Sequence, residues 1–264
     1  MTFVETGQGV AAAPAAILSL QQVAKTWPDG THALEEVDLD LRKGELVTLV
    51  GPSGCGKSTV LRIVAGLDAA TGGQVVVPEQ LPGFVFQQPN LLPWRSVVGN
   101  VELFLQLDKA PADARREAVD DALELVGLER FRDHLPHQLS GGMQMRAALA
   151  RALVTRPELL LFDEPFAAVD ELLRERLQEE LSRLFAARRF AGLFITHSVA
   201  EAVFLSTRVM VMTPQPGTIE EVIDVPFPHP RVAELRFDSD FVDLCHRVSR
   251  SMRRAGSDLE VENR

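Results

Sequence analysis

Residues 51–59 read Gly-Pro-Ser-Gly-Cys-Gly-Lys-Ser-Thr and directly follow the short apolar run Leu46 to Val50. No other stretch constrains the chain so tightly. The spacing Gly-x-x-x-x-Gly-Lys-Ser suits a loop between a buried strand and a helix, where backbone N–H groups curl around phosphate oxygens. The helix that follows presents its positive end to the same anion. Gly51, Pro52, Ser53, Gly54, Cys55, Gly56, Lys57, Ser58 and Thr59 are therefore the candidate phosphate cradle. Within it, Lys57 reaches the β- and γ-phosphates and the Ser58 hydroxyl ligates Mg²⁺. Cys55 is read as a small side chain that fits the loop. With ordinary residue frequencies, a chance match in 264 residues is on the order of one in a hundred.

A second motif depends on the first. Leu159 to Phe162 is an apolar run that ends in Asp163 and Glu164. Carboxylates at the C-terminal end of a buried parallel strand face the crevice that a phosphate loop occupies. Asp163 is assigned to Mg²⁺, and Glu164 to general-base attack by water on a phosphate. Between the two motifs, Ser140 reads as the N-cap of an Ala/Leu-rich helix that opens with Gly141 and Gly142. The glycines permit close approach of another backbone.

Further short runs, Phe84 to Phe86, Leu193 to Thr196 and Val209 to Met212, are apolar on both faces. Such strands suit a parallel sheet covered by helices on both sides. By contrast, Val37, Leu39 and Leu41 alternate with Glu36, Asp38 and Asp40, which predicts a half-buried antiparallel strand. It pairs with Ile17 to Lys25 across the turn Trp27-Pro28-Asp29-Gly30, and residues 74–77 extend the pair. Leu173, Leu177, Leu181 and Leu184 predict a helix, and Ser198 with Glu201 has capping-box spacing for another. Ile219 to Val225 predicts a last strand. The class is α/β, with an antiparallel β subdomain at the N-terminal end and an all-helical insertion. Residues 1–16 read as a flexible tail and 226–264 as a C-terminal tail around one domain of 17–264. Within it, 17–92 and 156–225 form the nucleotide-binding core and 93–155 the helical subdomain.

A formal net charge of −10 argues against binding nucleic acid by broad phosphate neutralisation. No run reaches the roughly 18 apolar residues that a membrane helix needs. Val10 to Leu18 is broken by Pro14 and follows Glu5 rather than a basic stretch, so it does not read as a signal peptide. The expectation is a cytoplasmic chain.

Taken together, GPSGCGKST, LSGGM, LLLFDEP and a strand ending in Thr196-His197 resemble the ATP-binding cassette (ABC) ATPases over residues 17 to 225. Three details are similar to the ATPase subunits of nitrate/sulfonate/taurine-type importers: residues 84–94, Asp163-Glu164-Pro165-Phe166, and Pro214-Gln215-Pro216-Gly217. The resemblance implies a RecA-like P-loop NTPase core and assigns further roles. Trp27 stacks on adenine, where the family usually has Tyr. Gln87 contacts Mg²⁺ and the attacking water, and His197 contacts the γ-phosphate. Asp170 belongs to the loop after Glu164, and by its own pattern caps the next helix. The chain departs from the family pattern at Met145, at Ala167 to Asp170, at Ser198 and in the short link 78–83. None of these removes a catalytic group.

The resemblance also implies partners. In the ATP-bound state a homodimer sandwiches each nucleotide between the phosphate loop of one copy and Ser140, Gly141 and Gly142 of the other. Two integral-membrane permease subunits, docked near Pro89 to Trp94, and a solute-binding protein complete an importer at the cytoplasmic face of the cell membrane. A soluble ABC ATPase without a transport role is the alternative. Too few residues separate Gln87 from Ser140 for the long coiled coil of the DNA-repair type. A small-molecule P-loop kinase would lack the LSGG helix start and the switch histidine.

Overall fold

A computed structural model describes residues 16–167 and 169–262. Of the expected tail, 1–16, residues 1–15 lie outside the described residues, and Ala16 belongs instead to the first strand. That strand, β1 (Ala16–Thr26), pairs antiparallel with β2 (His32–Arg42), in the register Leu18↔Leu41, Leu20↔Leu39 and Val23↔Val37. Each of these six side chains is at most 2% exposed, while Glu36 and Asp38 face outward. A period-two pattern thus sends one face inward. β4 (Gly72–Val76) adds a third strand along β1.

The large sheet has the order β5-β6-β7-β3-β8-β9. Its strands are β3 (Leu46–Val50), β5 (Gly83–Val85), β6 (Leu159–Asp163), β7 (Ala191–Ile195), β8 (Arg208–Met212) and β9 (Ile219–Asp224). All neighbours are parallel except β8 and β9. Alternate residues feed two cores. Val47, Leu49, Leu159, Leu161, Leu193 and Ile195 pack toward the small sheet and α1 (Lys57–Val64). Leu46, Val50, Leu160, Phe162 and Phe194 pack the other way. There they meet α6 (Glu171–Arg188) and α7 (Val199–Leu205). Burying a Phe or Leu fully is worth about 1.5–3 kcal/mol, so burial on both faces specifies these strands strongly.

Residues 93–155 carry α2 (Val97–Val101), α3 (Leu103–Leu107), α4 (Ala112–Leu125) and α5 (Gly141–Leu153) around a core of their own, centred on Val97, Val101, Val119 and Leu123. After β9, the segment read as a tail forms α8 (Ser239–Glu262). Phe241, Val248 and Ala255, seven residues apart, make one buried stripe. On its other side Arg247 and Arg254 pair with Glu221 of β9 at 2.9 and 2.7 Å. The stripe is narrow and set among charged residues, so its period is faint in sequence. Among the described residues no helix is long and apolar enough to cross a membrane.

Candidate active site

The carboxyl ends of β3, β6 and β7, adjacent in the sheet, open on a cleft of about 530 Å³. Such a crevice at the ends of parallel strands is where α/β sheets place their ligands. β3 supplies the phosphate loop, whose Ser53, Gly54, Gly56, Lys57, Ser58 and Thr59 line the cleft. β6 supplies Glu164 and β7 supplies His197. The turn after β1 contributes Trp27 and Thr31, and the β8–β9 turn contributes Gln215. Thr31 escaped the sequence reading, and Gln215 entered it only within Pro214-Gln215-Pro216-Gly217 and not as a site residue, because neither belongs to a phosphate or carboxylate motif.

Lys57 is buried, and its Nζ donates to the carbonyls of Gly51 and Pro52, both at 2.9 Å. Cys55 is 1% exposed and packs in the core behind the loop, with Sγ 3.6 Å from that ammonium. Asp163 stands beside Ser58, whose hydroxyl helps keep its carboxyl charged. Burial first, and then the neighbouring Glu164 charge, raises the Asp163 carboxyl above its ordinary pKa; the Ser58 hydroxyl and Lys57 oppose that rise.

Glu164 takes a positive φ of 45°, and its N–H bonds the Ile195 carbonyl at 3.1 Å. Its Oε2 lies 3.0 Å from His197 Nδ1. A carboxylate only accepts, so this contact puts a hydrogen on Nδ1. His197 is framed by two bonded neighbours: the Ser198 N–H donates to Thr196 Oγ1 at 3.0 Å, and Ser198 Oγ caps α7 by accepting from the Glu201 N–H at 3.3 Å. The expected capping box is only half formed. The Glu201 side chain turns inward, 5% exposed, and accepts from Gln178 Nε2 at 2.9 Å.

Other expected residues lie apart from this cleft. Gln87 is exposed two residues beyond β5 and is not among the cleft's lining. The loop after it is fixed by two residues that sequence reasoning missed. Arg151 of α5 donates to the carbonyls of Pro89 and Asn90, both at 2.8 Å. Asn100, fully buried, accepts from the Leu92 N–H at 2.7 Å and donates to Leu92, Arg95 and Ser96 carbonyls. An amide between Val97 and Val101 in an apolar stripe was the available cue. The loop ends at Trp94, 73% exposed.

Ser140 caps α5 by accepting from the Met143 N–H at 3.3 Å, and is exposed outside the cleft. Its two glycines differ. A Cβ on Gly141 would meet nothing within 4 Å, whereas one on Gly142 would lie 2.7 Å from Leu173 of α6. Gly142 thus leaves room for the Leu173 side chain against the start of α5, while Gly141 leaves an open face. Asp170 caps α6, accepting from the Leu173 N–H at 3.1 Å.

Known proteins resemble this chain in sequence and fold. Residues 34–167 match the ABC transporter family. The chain is 47% identical over 208 residues to the aliphatic sulfonates import ATP-binding protein SsuB 1 of Xanthomonas axonopodis pv. citri, covering 76% of this chain and 82% of that one. It is 44% identical over 225 residues to the nitrate import ATP-binding protein NrtD of Synechococcus elongatus, covering 80% and 82%. Among solved structures, cbiO1 from Clostridium perfringens, part of the ABC transporter complex cbiONQ, superposes with a TM-score of 0.74 at 26% identity, covering 93% of this chain and 99% of that one. The dimeric ATP-binding cassette MJ0796, bound to ADP and Pi in a post-hydrolysis state, gives 0.68 at 33% identity, covering 80% and 100%. Cleft, fold and sequence agree: this chain belongs to the ABC transporter family, as one of its ATP-binding, ATP-hydrolysing cassettes.

Proposed function

We propose that the chain is the ATPase subunit of an importer, which converts ATP hydrolysis into movement of separate permease subunits. The observation that carries the chemistry is the meeting of Lys57, Glu164 and His197 in one cleft with a carboxylate–imidazole contact of 3.0 Å. Lys57 and the loop amides hold the phosphates. Glu164, oriented by His197, accepts a proton from the attacking water, and His197 contacts the γ-phosphate. Trp27 stacks on the adenine.

Mg²⁺ fits the residues present. Ser58 and Asp163 are neighbours, and hard oxygen donors with phosphate oxygens are the set this cation prefers. Ser58 and Asp163 would hold it, with Gln87 joining from its loop. When bound, the cation supplies neutralisation of phosphate charge.

Ser140, Gly141 and Gly142 act on the nucleotide of a second copy, so ATP closes a homodimer. Support comes from the exposed cap and open Gly141 face outside the chain's own cleft. It comes also from the dimeric cassette noted above. Import is supported by the named relatives, two import ATP-binding proteins. The permease docks on the loop ending at Trp94, held from within by Arg151 and Asn100. A solute-binding protein delivers the solute outside, and the chain sits peripherally on the cytoplasmic face of the membrane.

Two variants test this. Glu164→Gln should bind Mg-ATP and fail to hydrolyse it; turnover at the parent rate removes Glu164 as base. Trp94→Asp should keep the ATPase activity of the isolated chain and lose co-purification with an integral-membrane permease from native membranes. Co-purification unchanged by that substitution assigns docking to another surface.

A further inference from the structure

The histidine switch is not held by the cassette core alone. Both neighbours of His197 meet one residue, Glu201, whose side chain is buried. The Thr196 hydroxyl stands beside its carboxylate and accepts from the Ser198 N–H at 3.0 Å, and Ser198 Oγ accepts from the Glu201 backbone N–H at 3.3 Å. Glu201 in turn accepts from Gln178 Nε2 of α6 at 2.9 Å. Gln178 is 4% exposed, and its Oε1 accepts from an Arg236 Nη at 2.6 Å. Arg236 lies in the short helical turn Ala233–Phe237 that precedes α8, outside the residues 34–167 that match the family.

The same segment grips the far end of α7. The Arg236 guanidinium sits 3.7 Å from the ring centroid of Phe204, a fully buried α7 residue. Arg231, 2% exposed, donates from Nη1 to the Val203 and Phe204 carbonyls at 2.8 and 2.9 Å. Those carbonyls are in the last turn of α7, where a helix leaves acceptors without intrahelical donors. A helix of seven residues is thus gripped at its C-terminal end by chain that follows β9, and reached at its first turn by the same chain through Gln178 of α6. Its N-cap, Ser198, is the residue immediately after His197.

A buried carboxylate needs its hydrogen bonds to stay in one place. Removing the donor behind Gln178 frees that amide to rotate and slackens the Glu201 carboxylate, and with it the Thr196 hydroxyl that accepts from the Ser198 N–H across His197. The phosphate loop lies between β3 and α1 and is braced by the Lys57 bonds to the Gly51 and Pro52 carbonyls, so nucleotide binding should be spared. A small displacement of a catalytic group costs rate far more than binding.

We infer that Arg236, acting through Gln178 and Glu201, is a positioning residue for His197, so that the segment after β9 helps set the rate of ATP hydrolysis. This rests on the reading of His197 as the γ-phosphate contact.

The experiment measures kcat and KM for Mg-ATP, nucleotide affinity and thermal unfolding on the purified full chain. Arg236→Met keeps the packing over Phe204 and loses the donor; its kcat should fall about tenfold or more, with KM and affinity within about twofold of the parent. Arg236→Lys, which restores a donor, should recover most of the rate. Arg247→Ala, which loosens α8 at Glu221 instead, should leave kcat unchanged. His197→Ala is run beside them and should be inactive. If the Met variant does not fold, Arg236→Leu, which also has no donor, takes its place. A folded Met or Leu variant at the parent kcat overturns the relay while inactive His197→Ala preserves the reading beneath it. Loss of affinity in step with kcat, no rescue by Lys, or an equal loss in Arg247→Ala would reduce Arg236 to general stability and overturn the proposal. His197→Ala at the parent rate overturns both.

Discussion

Glu164 occupies the left-handed backbone region at φ 45°, which costs an L-residue about 1–2 kcal/mol. The surrounding structure holds it there through the bond from its N–H to Ile195 of the neighbouring strand. Held so, its carboxylate lies against His197 instead of continuing along β6. Strain placed where chemistry occurs makes a testable separation. Glu164→Gly should leave unfolding free energy unchanged or raised by less than about 1 kcal/mol, because glycine adopts this φ freely and gives back part of the gain as chain entropy. The same variant should lose ATP hydrolysis. A drop in stability beyond that range, read from denaturant unfolding, means the His197 contact outweighs the strain. A quieter residue matters equally. A Cβ on Gly217 would lie 2.0 Å from the Cys55 carbonyl in the phosphate loop. Gly217→Ala should therefore push that loop and weaken ATP binding by about tenfold, the effect of a clash worth about 1.4 kcal/mol. Unaltered affinity by nucleotide titration would show that the loop absorbs the methyl group.

At the scale of elements, the link from β9 to α8 carries its own pH response. Ser182 Oγ accepts from the Arg231 N–H at 2.7 Å, so its hydrogen goes to His229 Nδ1 at 2.9 Å. That bond requires an unprotonated Nδ1. Burial first, and then the charges of Arg231 and Arg189, lower the His229 pKa from 6.5 to about 3. The unfolded chain takes up the proton near 6.5 and the folded chain does not. Stability is therefore full above about pH 6.5 and declines as pH falls through 6 and 5 toward 3. Solvent reaches part of the ring, so the decline between about pH 7 and 5 is about 1 kcal/mol. His229→Gln should flatten that slope in denaturant midpoints. An unchanged slope would assign the acid sensitivity to other groups. None of this link was legible in sequence, whereas most of the core was. Leu46 to Val50 and Leu159 to Phe162 announce themselves because burial on two faces admits only apolar side chains. Ser140 and Asp170 were legible as caps because their bonds are local, to Met143 and Leu173. Arg151, Arg231 and Arg236 were not, because their partners are distant in sequence and an arginine reads as a surface residue until its carbonyls are seen. The inward turn of Glu201 was hidden for the same reason, since its partner Gln178 comes from another helix.

For the whole molecule, the decisive feature is the distance between two halves of the chemistry. The phosphate loop, Glu164 and His197 share one cleft, while the capped start of α5 with its open Gly141 face stands outside it. On the reading proposed here, each ATP is gripped only when two copies meet. Ser140→Arg should then leave nucleotide binding to the single chain intact and remove hydrolysis; loss of binding in the folded variant would place Ser140 in its own chain's site. Glu164→Gln approaches the same geometry from the other side. It removes a negative charge beside the γ-phosphate and blocks the step that would reopen the interface, with almost no change of shape. Light scattering on this variant should give the single-chain mass alone and twice that mass with Mg-ATP, whereas the parent chain should be at most a transient dimer as it turns ATP over. Addition of Ser140→Arg to Glu164→Gln should abolish the dimer while ATP stays bound, because the arginine would occupy the space the partner's phosphates need. A double variant that still dimerises, or a Glu164→Gln chain that remains single with ATP demonstrably bound, would sink the shared site for this protein.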